Sequence, residues 1–194
     1  MKDSLAFIGD IHGEVNLLHE MLEKLAQADV QNKIFLGDYI NKGGHSKDVI
    51  EVLIEQVDGE SSIALLGNHE KAMLDVLRGA PLGPFLKMGG AAAIRSYFDG
   101  PVGPWPARDF KDAVPKRHKE FLASLPEIVT GPGFVAGHHR PPPELGQFQV
   151  SGHVFVGPEP RITRNSARLD TGAGNRAGRL TALLWPSRTI IQTG

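Results

Sequence analysis

The first 70 residues alternate between short, wholly apolar segments and longer stretches in which apolar positions recur at helical spacing. The apolar segments predict buried strands at Leu5–Gly9, Lys33–Leu36 and Ile63–Leu66. The periodic stretches predict amphipathic helices at Asn16–Ala28, Ser46–Gln56 and Glu70–Leu77. This alternation indicates a βαβαβ unit with parallel strands.

The pattern changes in the second half of the chain. Between Arg78 and Asp112 it is interrupted by proline and glycine, with one helix predicted near Gly90–Tyr97, and we interpret residues 78–112 as a cap or loop region. A helix is predicted at Pro115–Leu125, with the proline near its first turn. The strands predicted after it are Gly133–Ala136, Gln147–Gly152, Val154–Val156, Arg168–Asp170, Leu180–Trp185 and Thr189–Gln192. Their spacing indicates a second, largely antiparallel sheet. The predicted fold is α/β, a four-layer α/β/β/α sandwich of two mixed β-sheets flanked by helices.

Composition narrows the class of protein. A chain of 194 residues with 41% hydrophobic residues is suited to a single domain, residues 1–194, with a substantial core. A net charge of -1 provides no overall field to attract nucleic acid or an anionic membrane, so we expect neither as a partner. The chain has no cysteine, which excludes disulfides and thiolate zinc sites and is consistent with a reducing compartment. Its first residues resemble neither a signal peptide nor a membrane span, so we expect a cytoplasmic protein. The oligomeric state stays open.

Side chains that can bind metal follow each of the first three strands. They are Asp10, His12, Asp38, Asn68 and His69. In parallel sheets, sites gather at the carboxyl ends of the strands, so these residues are expected to converge. Carboxylate and amide oxygens with imidazole nitrogens suit Mn, Fe or Zn better than Ca. Two cations that share a carboxylate activate water and clamp the oxygens in phosphoryl transfer, and Asp38 is the natural bridge.

A simpler interpretation of these residues exists. Isolated Asp and Asn residues after strands are usually helix caps or turn formers. Their occurrence together with His12 and His69 favours a metal site. We assign no role to His19, His45 and His118.

Three motifs carry a resemblance to a known family: Gly9–Gly13, Gly37–Gly43 and Gly67–Glu70. They resemble the successive signatures of the calcineurin-like metallophosphoesterases, in particular the bacterial-type branch of the phosphoprotein (Ser/Thr) phosphatases. The similarity extends over nearly the whole chain, through Lys87–Gly90, Ser151–His153, Leu169–Ala173 and Gly178–Leu183. Three ordered motifs at matching intervals are far more specific than one short pattern.

The resemblance implies a dinuclear centre and a metallophosphoesterase-like fold. The ligands implied are Asp10 and His12 for one cation, Asp38 as the bridge, and Asn68 and His153 for the other. It also implies that His69 is the general acid and that a metal-bound hydroxide attacks phosphorus in line. The cofactors expected are two divalent cations, Mn first, with Fe or Zn as alternatives.

The chain departs from the family pattern at Asn41 and Lys42, where an Asp-Arg pair is usual. Asn41 can orient His69 but brings no charge to stabilise its protonated form, so a weaker general acid is expected. Lys42 keeps a positive charge for substrate binding but lacks the planar fork of arginine. Diadenosine tetraphosphatases related to the family also lack that Asp.

Two further departures lie between Phe134 and His153, one in the segment Phe134–Arg140 and one in the 12 residues that separate Arg140 from His153. Alanine, at Ala136, occupies the register at which the family has a metal-binding histidine. Because side chains alternate along a strand, His138 shares the face of Ala136 and His139 points away, so we predict His138 as the ligand. The segment that normally supplies a phosphate-binding arginine is also short, which leaves Arg140 as the nearby substitute.

We therefore expect an enzyme, a metal-dependent phosphoesterase that hydrolyses phosphate monoesters in phosphorylated proteins or small phosphoesters. A bacterial-type Ser/Thr protein phosphatase is the first interpretation. A diadenosine polyphosphate or nucleotide hydrolase is the alternative enzyme. A third interpretation is that the protein is not an efficient enzyme but a metal- or phosphate-binding module with weak catalysis. The departures from the family pattern at Ala136 and Asn41 are the reason to consider it.

Overall fold

The computed structural model describes residues 5–59, 61–142 and 146–194. Its strands are β1 (Leu5–Ile8), β2 (Asn32–Phe35), β3 (Ser62–Ala64), β4 (Ile128–Gly131), β5 (Phe134–Gly137), β6 (Phe148–Ser151), β7 (Arg161–Ile162), β8 (Ser166–Arg168), β9 (Leu180–Trp185) and β10 (Ile190–Thr193). Its helices are α1 (Val15–Gln27), α2 (Ser46–Asp58), α3 (Asn68–Leu77), α4 (Leu82–Lys87), α5 (Gly90–Ser96), α6 (Pro106–Ala113) and α7 (Lys116–Ser124).

The first sheet has the strand order β10-β9-β1-β2-β3. β1 pairs in parallel with β2, and β2 with β3, which confirms the predicted βαβαβ unit. β9 and β10 join this sheet as antiparallel strands at its other edge, so their predicted place in the second sheet is wrong. The reason is burial, because β9 lies beside β1 and is covered on both faces.

The second sheet has the order β4-β5-β6-β8-β7. β5 pairs in parallel with β6, and β6 with β8, so the prediction of a largely antiparallel sheet is wrong. The segment predicted as a strand at Val154–Val156 lies in a loop, with Phe155 58% exposed. The sequence pattern predicted neither β4 nor β7. Short strands carry little signal of the partner that they will pair with, because pairing is decided by distant residues.

Residues 78–112 contain three helices, α4, α5 and α6, where the sequence predicted one. They pack on α2 and α3. An aromatic cluster also joins them to each other, because the ring of Phe110 lies 6.1 Å from that of Phe85 and 5.6 Å from that of Tyr97. Helices this short are stabilised by tertiary packing rather than by their own propensity, so periodicity reveals them poorly. The role of this region as a cap stays a prediction.

Two apolar layers hold the fold together. One lies between the helices and the first sheet, and the other lies between the two sheets, where Phe7 and Leu183 meet Phe134 and Val150. The prediction of two mixed sheets flanked by helices is confirmed. Among the described helices, α1 packs on β9 and β10 and α2 packs on β3, all in the first sheet. No helix in the described ranges is both long enough and apolar enough to span a membrane.

Candidate metal centre and active site

The loops that follow β1 and β2 are joined backbone to backbone. The amides of Ile11 and His12 donate to the carbonyl oxygen of Asp38, at 3.0 and 2.9 Å. Asp10 and Asp38 therefore face the same crevice, and both are almost fully buried. Buried carboxylates are costly unless they are paired or bind a cation.

Glu70, on the first turn of α3, holds the loop after β2 through hydrogen bonds to its backbone amides. Its carboxylate accepts the amides of Asp38 and Tyr39, each at 2.9 Å, and those of Ile40 at 3.3 Å and Gly67 at 3.1 Å. The side chain is completely buried. Sequence reasoning placed Glu70 in a motif without giving it this role, because amides of another loop are invisible in the sequence.

Left-handed backbone is concentrated at the crevice. Of the seven non-glycine residues with positive φ among those described, five belong to the candidate site: His12 (49°), Asp38 (53°), Asn41 (73°), Lys42 (57°) and His153 (65°). Such conformations cost about 1–3 kcal/mol each and persist only where the surrounding structure imposes them. The fold thus maintains strain to aim these side chains.

On the first side of the crevice, His12 faces the two carboxylates. Its Nε2 lies 4.0 Å from one oxygen of Asp10 and 4.0 Å from one of Asp38. Its Nδ1 lies 3.2 Å from the carbonyl oxygen of Ile40, which places the ring proton on Nδ1 and leaves the Nε2 lone pair toward the crevice. Burial, followed by the charge of Lys42, lowers the pKa of His12 to about 3, so the ring is neutral and able to bind a metal.

On the second side, four atoms that can bind a metal lie close together, one each from His138, Asn68, Asp38 and His153. His138 Nδ1 lies 2.9 Å from the carbonyl of Leu36 and donates to it, which leaves Nε2 unprotonated. That Nε2 lies 2.8 Å from Oδ1 of Asn68 and 3.2 Å from Oδ1 of Asp38. His153 Nδ1 lies 2.9 Å from the same Asn68 oxygen. Lone pairs that converge in this way repel one another unless a cation lies among them.

The charges in the crevice also favour a cation. Burial, followed by the neighbouring carboxylates, raises the pKa of both Asp10 and Asp38 well above its usual range. Burial likewise raises the pKa of Asp170, whose charge contributes to the raised pKa values of those two groups. A divalent ion would stabilise the ionised forms of all three. Asp170 lies in one of the motifs of the sequence but was not predicted as part of the site.

Lys42 reaches into the first side. Its Nζ lies 2.7 Å from Nε2 of His12 and donates to that nitrogen. Its charge lowers the pKa values of Asp10 and Asp38 against the effect of burial. The lysine therefore places a positive charge on this side of the crevice. Its ammonium group occupies the lone pair on Nε2 of His12 that a metal cation would need.

His69 lies between Asn41 and Asp38. Its Nδ1 is 2.7 Å from Nδ2 of Asn41, which can donate to it, so that the ring proton lies on Nε2. That Nε2 is 3.6 Å from an Asp38 oxygen. Burial, followed by the charge of Lys42, lowers the pKa of His69 to about 4. Oδ1 of Asn41 is buried and has no hydrogen-bond partner among the described residues.

Nine of the ten predicted site residues come together in this crevice: Asp10, His12, Asp38, Asn41, Lys42, Asn68, His69, His138 and His153. Arg140 does not join them through hydrogen bonds. Its Nε and Nη2 donate to Oε1 of Gln149, at 3.1 and 2.9 Å, although the residue lines a cavity beside Asn68 and His138.

His139 is closer to the site than predicted. His139 is exposed, but the centre of its ring lies 4.1 Å from the centre of the His153 ring. One nitrogen from each of His138, His139 and His153 could bind the same metal ion. The prediction that His139 points away is therefore wrong. Strand β5 ends at Gly137, so the alternation of side chains on which that prediction relied does not continue past it.

Comparison with known proteins agrees with this geometry. A model of the calcineurin-like phosphoesterase family matches residues 4–159. The chain is 29% identical over 97 residues to serine/threonine-protein phosphatase BSL2 of Arabidopsis thaliana, a match that covers 46% of this chain and 10% of that protein. It is 30% identical over 100 residues to a protein phosphatase 2A catalytic protein of Dictyostelium discoideum, a match that covers 50% of this chain and 32% of that one. The chain thus spans no more than about a third of the length of either relative.

Solved structures show the same fold. A putative diadenosine tetraphosphatase superposes with a TM-score of 0.69 at 19% identity, over 100% of this chain and 94% of that one. A metallophosphoesterase from Sphaerobacter thermophilus superposes with a TM-score of 0.57 at 14% identity, over 98% and 87%. With the family model covering most of its length, the chain belongs to the calcineurin-like phosphoesterase family.

Proposed function

We propose that this chain hydrolyses phosphate monoesters with two divalent cations held in the crevice. The observation that carries the proposal is the convergence of Nε2 of His138 with the side-chain oxygens of Asn68 and Asp38, at 2.8 and 3.2 Å. A site that has excess lone pairs and buried carboxylates fits a cation better than it fits any neutral ligand.

The proposed ligands fall into two sets that share Asp38. Asp10 and His12 belong to the first set, and Asn68, His138 and His153 to the second. Bound cations would lower the pKa of a coordinated water and neutralise charge on the phosphoryl group. The mixture of oxygen and imidazole donors supports Mn, with Fe or Zn as alternatives.

His69 is the proposed proton donor to the leaving oxygen. Asn41 holds its ring through Nδ1, so that Nε2 is presented to the crevice. Asn41 brings no negative charge, and burial disfavours the charged imidazolium. We therefore expect proton transfer to be slower here than with an aspartate at position 41.

Lys42 is proposed to bind the phosphoryl group and to compete with the first cation. The ammonium and a cation both need the lone pair on Nε2 of His12, so they cannot occupy it together. Filling the first set of ligands requires Lys42 to move off His12. The freed ammonium then becomes available to an anionic substrate as a point charge.

Residues 78–112 are proposed to shape the rim beside Lys42 within a single domain. Gly89 has a φ of +83°, and a Cβ there would lie 3.2 Å from the amide nitrogen of Lys42. Ser96 accepts the amide of Lys47 at 3.1 Å through its hydroxyl oxygen. The region thus supports the loop that carries Asn41 and Lys42.

For the substrate we propose a phosphorylated protein, as in a Ser/Thr-type protein phosphatase. The two relatives named above are named as protein phosphatases, and each is similar to about half of this chain. A diadenosine polyphosphate hydrolase is the alternative. Asn41 favours it, because an acidic residue at this position is typical of the protein phosphatases.

Turnover of p-nitrophenyl phosphate with added Mn²⁺ tests the activity, and elemental analysis of protein purified without chelator tests the cation count. We expect metal-dependent hydrolysis and two ions per chain. Turnover of a phosphoserine peptide and of diadenosine tetraphosphate then separates the two candidate enzymes. If the protein binds metal but hydrolyses p-nitrophenyl phosphate no faster than the Asp38→Asn variant, the result would support a binding module instead.

A further inference from the structure

The second sheet and its loops carry Arg140, Arg161, Arg164 and Arg168, and the turn between β9 and β10 of the first sheet carries Arg188. These five arginines line two adjoining cavities. Within the described ranges, none of the five has a carboxylate oxygen within 4.0 Å. The chain as a whole has 21 basic and 22 acidic residues, so this lack of acidic partners is a local feature. Arginines concentrated without acidic partners create a positive surface.

Two of these arginines face each other across the edge of the sheet. In the antiparallel pairing of β7 with β8, Arg161 lies directly opposite Arg168. Like charges directly opposite each other destabilise a sheet. An anion between the two guanidinium groups would remove that cost.

A small polar cavity lies at this pair. It has a volume of about 200 Å³ and is lined by Arg140, Arg161, Thr163, Ser166 and Arg168. The described part of the lining therefore offers three guanidinium groups and no acidic side chain. The hydroxyls of Thr163 and Ser166 are bonded to each other at 2.9 Å. Arginine forks and hydroxyls are the groups that proteins use to bind phosphate oxygens.

Arg140 is held in place by a buried amide. Its Nε and Nη2 donate to Oε1 of Gln149, which is 4% exposed and in turn donates from Nε2 to the carbonyl of Pro141 at 2.7 Å. These bonds leave Nη1 of Arg140 for a ligand. A pre-positioned guanidinium loses less entropy on binding than a mobile one.

A second cavity shares Arg140 with the first. Its volume is about 510 Å³, and Arg164 and Arg188 contribute two further positive charges to its lining. The guanidinium carbon of Arg188 lies 4.0 Å from the centre of the Phe148 ring, which supports that side chain. Gln147 also lines this cavity, and its Oε1 is buried without a partner among the described residues.

We propose that these two cavities form a binding site for a condensed phosphate, an anion with more than one phosphoryl group in a chain. One phosphoryl group would lie in the small cavity between Arg161 and Arg168, and the next would lie toward Arg164 and Arg188, with Arg140 between them. Of the five arginines, Arg140 alone also lines the cavity beside Asn68 and His138, and the proposal does not depend on the proposed hydrolysis. The ligand chemistry follows from five positive charges over adjoining cavities, which exceeds what a single orthophosphate would neutralise.

The test is isothermal titration of the full chain, freed of metal with chelator, with inorganic tripolyphosphate and with orthophosphate. We expect one tripolyphosphate per chain, bound at least about tenfold more tightly than orthophosphate and more weakly as salt is added. Replacing both edge arginines, in Arg161→Gln/Arg168→Gln, should weaken tripolyphosphate at least about tenfold, because charge-assisted hydrogen bonds are lost.

Two controls make the result specific. Arg108→Gln changes an exposed arginine on α6 and should leave the affinity unchanged. The single variants Arg161→Lys and Arg168→Lys keep the charge and the fold, and should bind with intermediate affinity. Hydrolysis of p-nitrophenyl phosphate by the double variant should equal that of the wild type.

Three outcomes would overturn the proposal. They are an absence of tripolyphosphate binding, an unchanged affinity in the folded double variant, and equal affinities for orthophosphate and tripolyphosphate. Absence of Mn²⁺-dependent hydrolysis in the wild type would contradict the proposed function and leave this site unaffected.

Discussion

The two sides of the crevice are built differently. The first side comes from loops of one sheet that are bonded to each other through their backbones, and its groups Asp10 and His12 are 2% and 1% exposed. The second side combines Asn68, at the start of α3, with His138 and His153 from loops of the other sheet, and His153 is exposed. It depends on how the two sheets pack against each other. The difference indicates that the first side is the more rigid one and that the second is the easier to disturb.

Asp38 belongs to both sides, so its replacement should have the largest effect. In Asp38→Asn we expect kcat/KM with p-nitrophenyl phosphate and Mn²⁺ to fall by about 10²–10³-fold or more, because the shared negative charge is lost from both sets of ligands. Elemental analysis should show fewer than two ions per chain. Asp58→Asn, on the exposed end of α2, is the matched control and should behave as wild type. Activity of Asp38→Asn within tenfold of wild type would contradict the shared role.

Glu70 tests the rigidity of the first side. In Glu70→Ala the buried amides of Asp38, Tyr39 and Gly67 lose their acceptor. We expect the free energy of unfolding to drop by about 3–5 kcal/mol, measured by urea denaturation. Glu55→Ala, an exposed position on α2, should change it little. A loss below about 1 kcal/mol would mean that the loops are held by other contacts.

The second side is tested by comparing adjacent histidines. His138→Ala removes a buried ring that contacts both Asn68 and Asp38. We expect the cation held by the second set of ligands to bind about 10–100-fold less tightly. His139→Ala removes an exposed ring near His153 and should weaken it less. Titration of metal-free protein with Mn²⁺ measures both. A larger effect from His139→Ala would transfer the ligand role to that residue.

Lys42 gives the smallest expected change in this series. In Lys42→Met, Nε2 of His12 no longer accepts a hydrogen bond from the lysine ammonium. We expect Mn²⁺ to bind to the first set of ligands about tenfold more tightly, because it no longer has to displace one charge-assisted hydrogen bond. KM for an anionic substrate should rise in the same variant. Lys71→Met changes an exposed lysine near Asn68 and serves as control. Weaker Mn²⁺ binding in Lys42→Met would show that the lysine does not compete.

Local signals in the sequence located much of the crevice. Asp10, Asp38 and Asn68 each follow a short apolar strand, and parallel strands end at a common edge of their sheet. His138 was selected over His139 by alternation, and the structure places its Nε2 against Asn68 and Asp38. The same alternation misplaced His139, because it applies only within a strand.

What the sequence by itself determined is therefore the βαβαβ unit, its helices and the residues at its strand ends, since these depend on periodicity and turn chemistry within short stretches. The tertiary structure alone decided that β9 and β10 complete the first sheet, that β5, β6 and β8 run in parallel, and that Glu70 holds a loop far from it in the chain. It also decided that Arg161 faces Arg168. Strand pairing, register and loop-to-loop hydrogen bonds join residues distant in the chain, and their free energy depends on burial that no local pattern of residues records.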